Sequence, residues 1–125
     1  MKRKNIFLSV VLLAIGLTVV SAQESGFTIK GFPGYARGEE QWRLYISYNE
    51  GITSPYDLLG DSRGYGDVEN DGKIKWGSAP WISNDYTLYL IKSDGTLMKT
   101  TTNINIAGGG NGEVNYSAFV VVRTP

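Results

Sequence analysis

The chain has 125 residues, twelve basic against twelve acidic, with neither cysteine nor histidine. Lack of cysteine excludes a disulfide framework, thiol chemistry and lipid attachment to a thiol; lack of histidine excludes Ser-His-Asp triads, histidine bases and nearly every zinc site. With Lys2, Arg3 and Lys4 set aside as part of an export segment, nine basic residues face twelve acidic ones, a mildly acidic balance that argues against a nucleic-acid binder.

Residues 1–22 read as a signal peptide. Lys2-Arg3-Lys4 is the positive start, Ile6 to Val20 is a largely apolar run, and Val20-Ser21-Ala22 is a small-residue cleavage site. As a helix that run is about 22 Å long against a hydrocarbon core of roughly 30 Å, short for a permanent span. Cleavage is expected after Ala22, with an uncleaved anchor as the alternative. The product is periplasmic or extracellular, and residues 23–125 suffice for one domain whose core forms without crosslinks.

Along that domain the apolar period is two. Phe27–Phe32 is the first candidate strand, ended by Gly31-Phe32-Pro33-Gly34. Trp42 to Tyr48 then places Trp42, Leu44, Ile46 and Tyr48 on one face. Asn49 to Gly66, rich in Gly, Ser and Asp, is the longest segment of undefined structure; if it is a loop, it is long for a compact domain and a candidate place for function. Glu69-Asn70-Asp71-Gly72 is a tight turn before the candidate strand Lys73–Trp76. Tyr86 to Lys92 lines up Tyr86, Leu88 and Leu90 on one face and Thr87, Tyr89 and Ile91 on the other, so it is a central strand covered on both sides. Ser93-Asp94-Gly95 turns into Thr96–Lys99, and Thr102–Ile106 follows. The glycines of 108–112 predict a mobile loop before a last strand, Val114 to Arg123, with Val114, Tyr116, Ala118, Val120 and Val122 on one face. Seven or eight short strands with this punctuation predict an all-β fold, a single antiparallel β-sandwich, immunoglobulin-like or related.

Candidate chemistry is sparse. Gly60-Asp61-Ser62-Arg63-Gly64 matches G-x-S-x-G, but no histidine exists to take the Ser62 proton and no helix pattern follows it. Asp67 to Gly72 half-resembles a calcium loop, with Glu69 at a position that wants Asp or Asn and Ser78 where a bidentate Glu belongs. Asp61, Asp67, Glu69 and Asp71 are therefore weak metal candidates, and a plain hairpin turn accounts for Asn70-Asp71-Gly72. Gly109 to Glu113 is one partial copy of a repeat that binds calcium only in tandem. Paired carboxylates for glycoside hydrolysis would have to come from Glu39-Glu40 or the acidic residues of 57–71. Asn115-Tyr116-Ser117 is a formal glycosylation acceptor inside a strand pattern. Trp76 and Trp81, flanking Gly77-Ser78-Ala79-Pro80, and the loop residues Tyr35, Tyr56 and Tyr65 are the aromatics able to stack on a sugar or anchor an interface. Of these, Trp76, Trp81, Tyr56 and Tyr65 are the candidate ligand-binding set.

Phe27-Thr28-Ile29-Lys30-Gly31-Phe32-Pro33, Tyr86 to Ile91, and Val114-Asn115-Tyr116-Ser117-Ala118-Phe119 occur in an order that resembles small exported bacterial β-sandwich domains. Their first strand reads I-x-G-hydrophobic-P, a core strand reads Y-T-V/L-x-L, and the last carries aromatic-Ser-x-aromatic. Phe27 stands where a β-branched residue is more usual. The resemblance implies fold and export and carries over no site residues. The expected function is a non-catalytic module making protein–protein contacts outside the cytoplasm, without cofactor or catalytic residues; the alternative is a glycan-binding module using the loop Trp and Tyr residues.

Overall fold

The computed structural model describes residues 24–80 and 84–125. Nine strands and one α-helix lie among them: β1 (Glu24–Lys30), β2 (Trp42–Ser47), α1 (Pro55–Asp61), β3 (Gly64–Val68), β4 (Lys73–Ser78), β5 (Asn84–Ile91), β6 (Leu97–Thr100), β7 (Ile104–Ile106), β8 (Gly112–Asn115) and β9 (Phe119–Arg123). The signal segment 1–22 with its cleavage site, and Trp81, lie outside the described residues.

The period-two pattern sorts side chains as its alternation requires. In β2, Trp42, Leu44 and Ile46 are buried while Arg43 is exposed. In β4, Ile74 and Trp76 turn inward between exposed Lys73 and Lys75. Every residue of β5 from Tyr86 to Leu90 is buried, as a strand covered on both faces must be. Two tight turns form where glycine marks them. Gly72, at φ +88°, donates to Glu69 O at 2.8 Å; the Gly95 N–H bonds Lys92 O at 2.9 Å while Asp94 Oδ1 accepts from Thr96 N.

The molecule is mostly β, but its architecture departs from the expected antiparallel sandwich. The strand path runs β9-β6-β5-β2-β3-β4-β1-β8, and the β1–β8 pair is parallel, Phe27 opposite Gly112 and Lys30 opposite Asn115. One half of β5 pairs with β6 and the other half with β7. An Ala107–Asn111 bridge then ties β7 into a hairpin with β8. The path thus returns towards its start through β7, curling one mixed sheet into a near-barrel around a single core. That core includes Phe27, Ile29, Leu44, Ile46, Ile74, Trp76, Leu88, Leu90, Val114 and Phe119.

Two further differences have local causes. The run Val114–Arg123 is not one strand: a 3-10 turn at Tyr116–Ala118 breaks it, and its halves pair with different partners, β8 with β1 and β9 with β6. The turn resets the alternation, so that Phe119 faces the core while Val120 is exposed. The glycine loop expected before the last strand is the β7–β8 turn, where Gly110 N bonds Ala107 O and Trp76 Nε1 donates to Gly110 O at 3.3 Å. Tyr48, expected in the core row, lies past the end of β2, half exposed and stacked on Tyr86 with ring centroids 4.9 Å apart.

The undefined segment 49–66 contains α1. Ser54 caps it by accepting from Tyr56 N, Pro55 supplies a first residue with no N–H to lose, and Asp57 lies in the first turn. Its anchor is Leu58, fully buried with Ile52, Tyr89 and Leu97 in a second cluster on the outer face of the sheet. The Tyr89 hydroxyl holds the approach to the helix: it donates to Asn49 O at 2.6 Å and accepts from Ile52 N at 3.2 Å. Burial pushes that phenol's pKa up, which keeps it a donor.

Candidate functional site

The cross-strand registers align one outer row: Val120 (β9), Lys99 (β6), Tyr89 (β5), Tyr45 (β2), Tyr65 (β3) and Ser78 (β4). Three consecutive tyrosines therefore cross the centre of the outer face. Tyr89 is sealed beneath the 49–58 segment, whereas Tyr45 and Tyr65 are partly exposed with ring centroids 5.9 Å apart. Tyr65 rests on Gly77 of the neighbouring strand, where a Cβ would come within 2.7 Å of its ring, so the missing side chain is what lets the phenol lie there. The Arg43 guanidinium stands 5.1 Å over the same ring and bonds Asp67 Oδ1 at 2.9 Å. The Tyr45 hydroxyl, then the Asp67 carboxylate, favour its charged form. The pair is 46% and 38% exposed, so it orients these side chains more than it stabilises the fold.

Over this face lies α1. Leu58 points down, and Tyr56 and Leu59, three residues apart and so neighbours on the helix surface, stand 82% and 72% exposed. They are the two most exposed large hydrophobic side chains among the described residues. A short helix pinned by one buried leucine thus displays an aromatic and an aliphatic group to solvent.

The sequence-predicted candidates scatter. Tyr56 and Tyr65 belong to this outer face, though Tyr65 is on a strand and not in a loop. Trp76 does not: it is 4% exposed in β4, edge-on to Phe27 at 6.0 Å, which is a correction to its expected place in an exposed loop. Tyr35 is half-buried, donates its hydroxyl to Val68 O, and packs with Phe32 and Trp42 in an aromatic plug. The Lys92 ammonium lies 5.1 Å over the Trp42 ring in that plug.

The four acidic candidates have separate duties. Asp67 pairs with Arg43, Asp71 accepts from Lys73 N at 3.0 Å inside the turn, and Asp61 accepts from Asn49 Nδ2 at 3.0 Å. Glu69 is exposed beside that turn, and among the described residues no three acidic groups converge as metal ligands would. Melting temperature is accordingly expected to be the same in excess chelator and in millimolar calcium. A site filled a hundredfold over its Kd would add about 2.7 kcal/mol. An upward shift that vanishes in Asp67→Asn or Asp71→Asn would contradict this.

Ser62 follows α1 and precedes β3, the reverse of the strand-to-helix elbow that the G-x-S-x-G chemistry needs. Glu39 and Glu40 line an open depression of about 370 Å³ with Gly38, Ser93 and Asp94. Glu39 is engaged by Ala36 N, and the Thr96 N–H and hydroxyl hold the Asp94 carboxyl below its usual range, the opposite of what a general acid requires. Among the described residues, no helix is long and apolar enough to cross a membrane.

Comparison with protein-family models, with curated proteins and with solved structures found no match.

Proposed function

We propose that the chain is an exported, non-catalytic protein that acts through protein–protein contacts, with α1 as the contact element. The observation carrying this reading is the exposed pair Tyr56–Leu59 on a helix fixed from below by Leu58 and Tyr89. Protein interfaces concentrate their binding energy in a few aromatic and aliphatic anchors held on rigid supports. Tyr56 loses little conformational freedom on docking, and Leu59 adds apolar area next to it. Export follows from the n-region, apolar run and cleavage motif of residues 1–22.

The test is affinity capture from the native envelope or medium with immobilised protein. A Tyr56→Ser/Leu59→Ser double variant should melt like the wild type, since both side chains are exposed, and should lose the retained partner. Retention unchanged by the double variant would sink the assignment to α1.

A second reading, glycan binding, is favoured by the Tyr45–Tyr65 pair beside Arg43 and Asp67, because sugar faces stack on aromatic rings while charged groups bond hydroxyls. Of the aromatics first expected to serve it, Tyr65 and Tyr56 are the ones on the surface among the described residues. Saturable binding to a glycan array, abolished by Tyr65→Ala, would favour it over the first.

A further inference from the structure

We infer that β9 is a pairing edge for a second copy of this chain, joined antiparallel about Val121 into a closed two-fold dimer. This surface is distinct from the Tyr56–Leu59 helix, and the inference does not depend on that helix having a partner.

β9 ends the strand path, and among the described residues it pairs only with β6. At the other end of the path β8 has the β7 hairpin beside it, so among the described residues β9 is the exposed edge. Its central residue occupies an inner row, Val121 opposite Met98 and Met98 opposite Leu90. Leu90 is fully buried and Met98 is 7% exposed, yet Val121 is 54% exposed, because no strand among the described residues lies beyond it. Val120, on the outer face of the same strand, is 44% exposed. One more strand alongside would cover an apolar side chain on each face and pair the free backbone groups of the edge.

The strand's own sequence fits as that neighbour. A two-fold pairing about Val121 sets Val121 against itself, Val120 against Val122 and Phe119 against Arg123. Valine meets valine, and no like charges oppose, which is the arrangement cross-strand pairs favour. The contact is also limited: the register shifts between Val121 and Arg123, and Pro125 lacks an N–H to continue a ladder. A two-fold contact uses the same patch on both copies and so closes at two. Five residues of edge are short, so dissociation in the micromolar range, roughly 1–100 µM, is expected.

Sedimentation velocity over that concentration range, on the protein as its native host produces it, is the test. The expected result is a monomer–dimer equilibrium that Val121→Lys weakens about tenfold or more, by placing two like charges opposite each other, and that Val121→Thr preserves. Backbone amide exchange of residues 119–122 in the wild type should slow as concentration rises, a readout independent of any variant. A wild type that stays monomeric, a dimer indifferent to Val121→Lys or lost in Val121→Thr, assemblies larger than two, or exchange in β9 that ignores concentration would each overturn the inference.

Discussion

Leu88→Ala is expected to lower the unfolding free energy by about 2–5 kcal/mol, the range for truncating a fully buried leucine. Leu88 is fully buried on the inner face of β5, opposite Ile46 of β2, and its N–H bonds Thr100 Oγ1 at 3.0 Å across to β6. β5 is the strand on which β2, β6 and β7 all pair, so a cavity there loosens three neighbours together. Against a total of about 5–15 kcal/mol the loss is a large fraction. A domain of this size should then melt about 10 °C lower or more. Near-wild-type melting of Leu88→Ala would show that the inner face has been assigned to the wrong row.

Gly72→Ala should cost a similar amount for a different reason. Gly72 sits at φ +88°, where a side chain costs about 1–2 kcal/mol by conformation alone. Its added Cβ would also stand 2.5 Å from Ile29 O, backbone that cannot swing aside, in the strand whose Ile29 N bonds Gly72 O at 2.8 Å. Relieving that overlap adds about 1–3 kcal/mol and loosens the β1–β4 seam. Gly109 supplies the control: at φ +86° it has the same conformation and nothing within 4 Å of an added Cβ. Chemical denaturation of both variants separates the two terms. Gly72→Ala no worse than Gly109→Ala would remove the close approach from the account.

The strands were legible in the sequence because alternation is a local signal. Trp42-Arg43-Leu44-Tyr45-Ile46 can bury one face only as a strand, and the doubly apolar run at Tyr86–Ile91 can be buried only at the centre. Turn glycines 72 and 95 were legible for the same reason. What alternation cannot encode is which strand pairs with which. The parallel β1–β8 pair joins residues more than eighty positions apart, and it turns an expected sandwich into a curled mixed sheet. The break at Tyr116–Ala118 was hidden because Val114 to Val122 keeps an unbroken period of two straight through it.

The candidate site was half legible. Tyr56 and Tyr65 were found from their residue type and loop-rich surroundings, but the helix under Tyr56 was not, since seven residues with one buried position leave no apolar stripe. The readable signal was Ser54-Pro55, a cap followed by a proline at the first helical position. Leu59 could be recognised as exposed only once Leu58 was seen to be the anchor. Trp76 misled because the Gly77-Ser78-Ala79-Pro80 stretch that it flanks suggested a loop. Gly66 and Gly110 instead clear the space its buried indole fills, an added Cβ at either lying within 3.0 Å of that ring.

The proposal that α1 is a contact surface is tested most directly by placing a photo-crosslinking benzoylphenylalanine at Leu59 in the native host. Illumination should give a discrete adduct heavier by one different protein, absent when the same group replaces exposed Lys73 on β4. No adduct from position 59, the same adducts from both positions, or an adduct holding only two copies of this chain would contradict it.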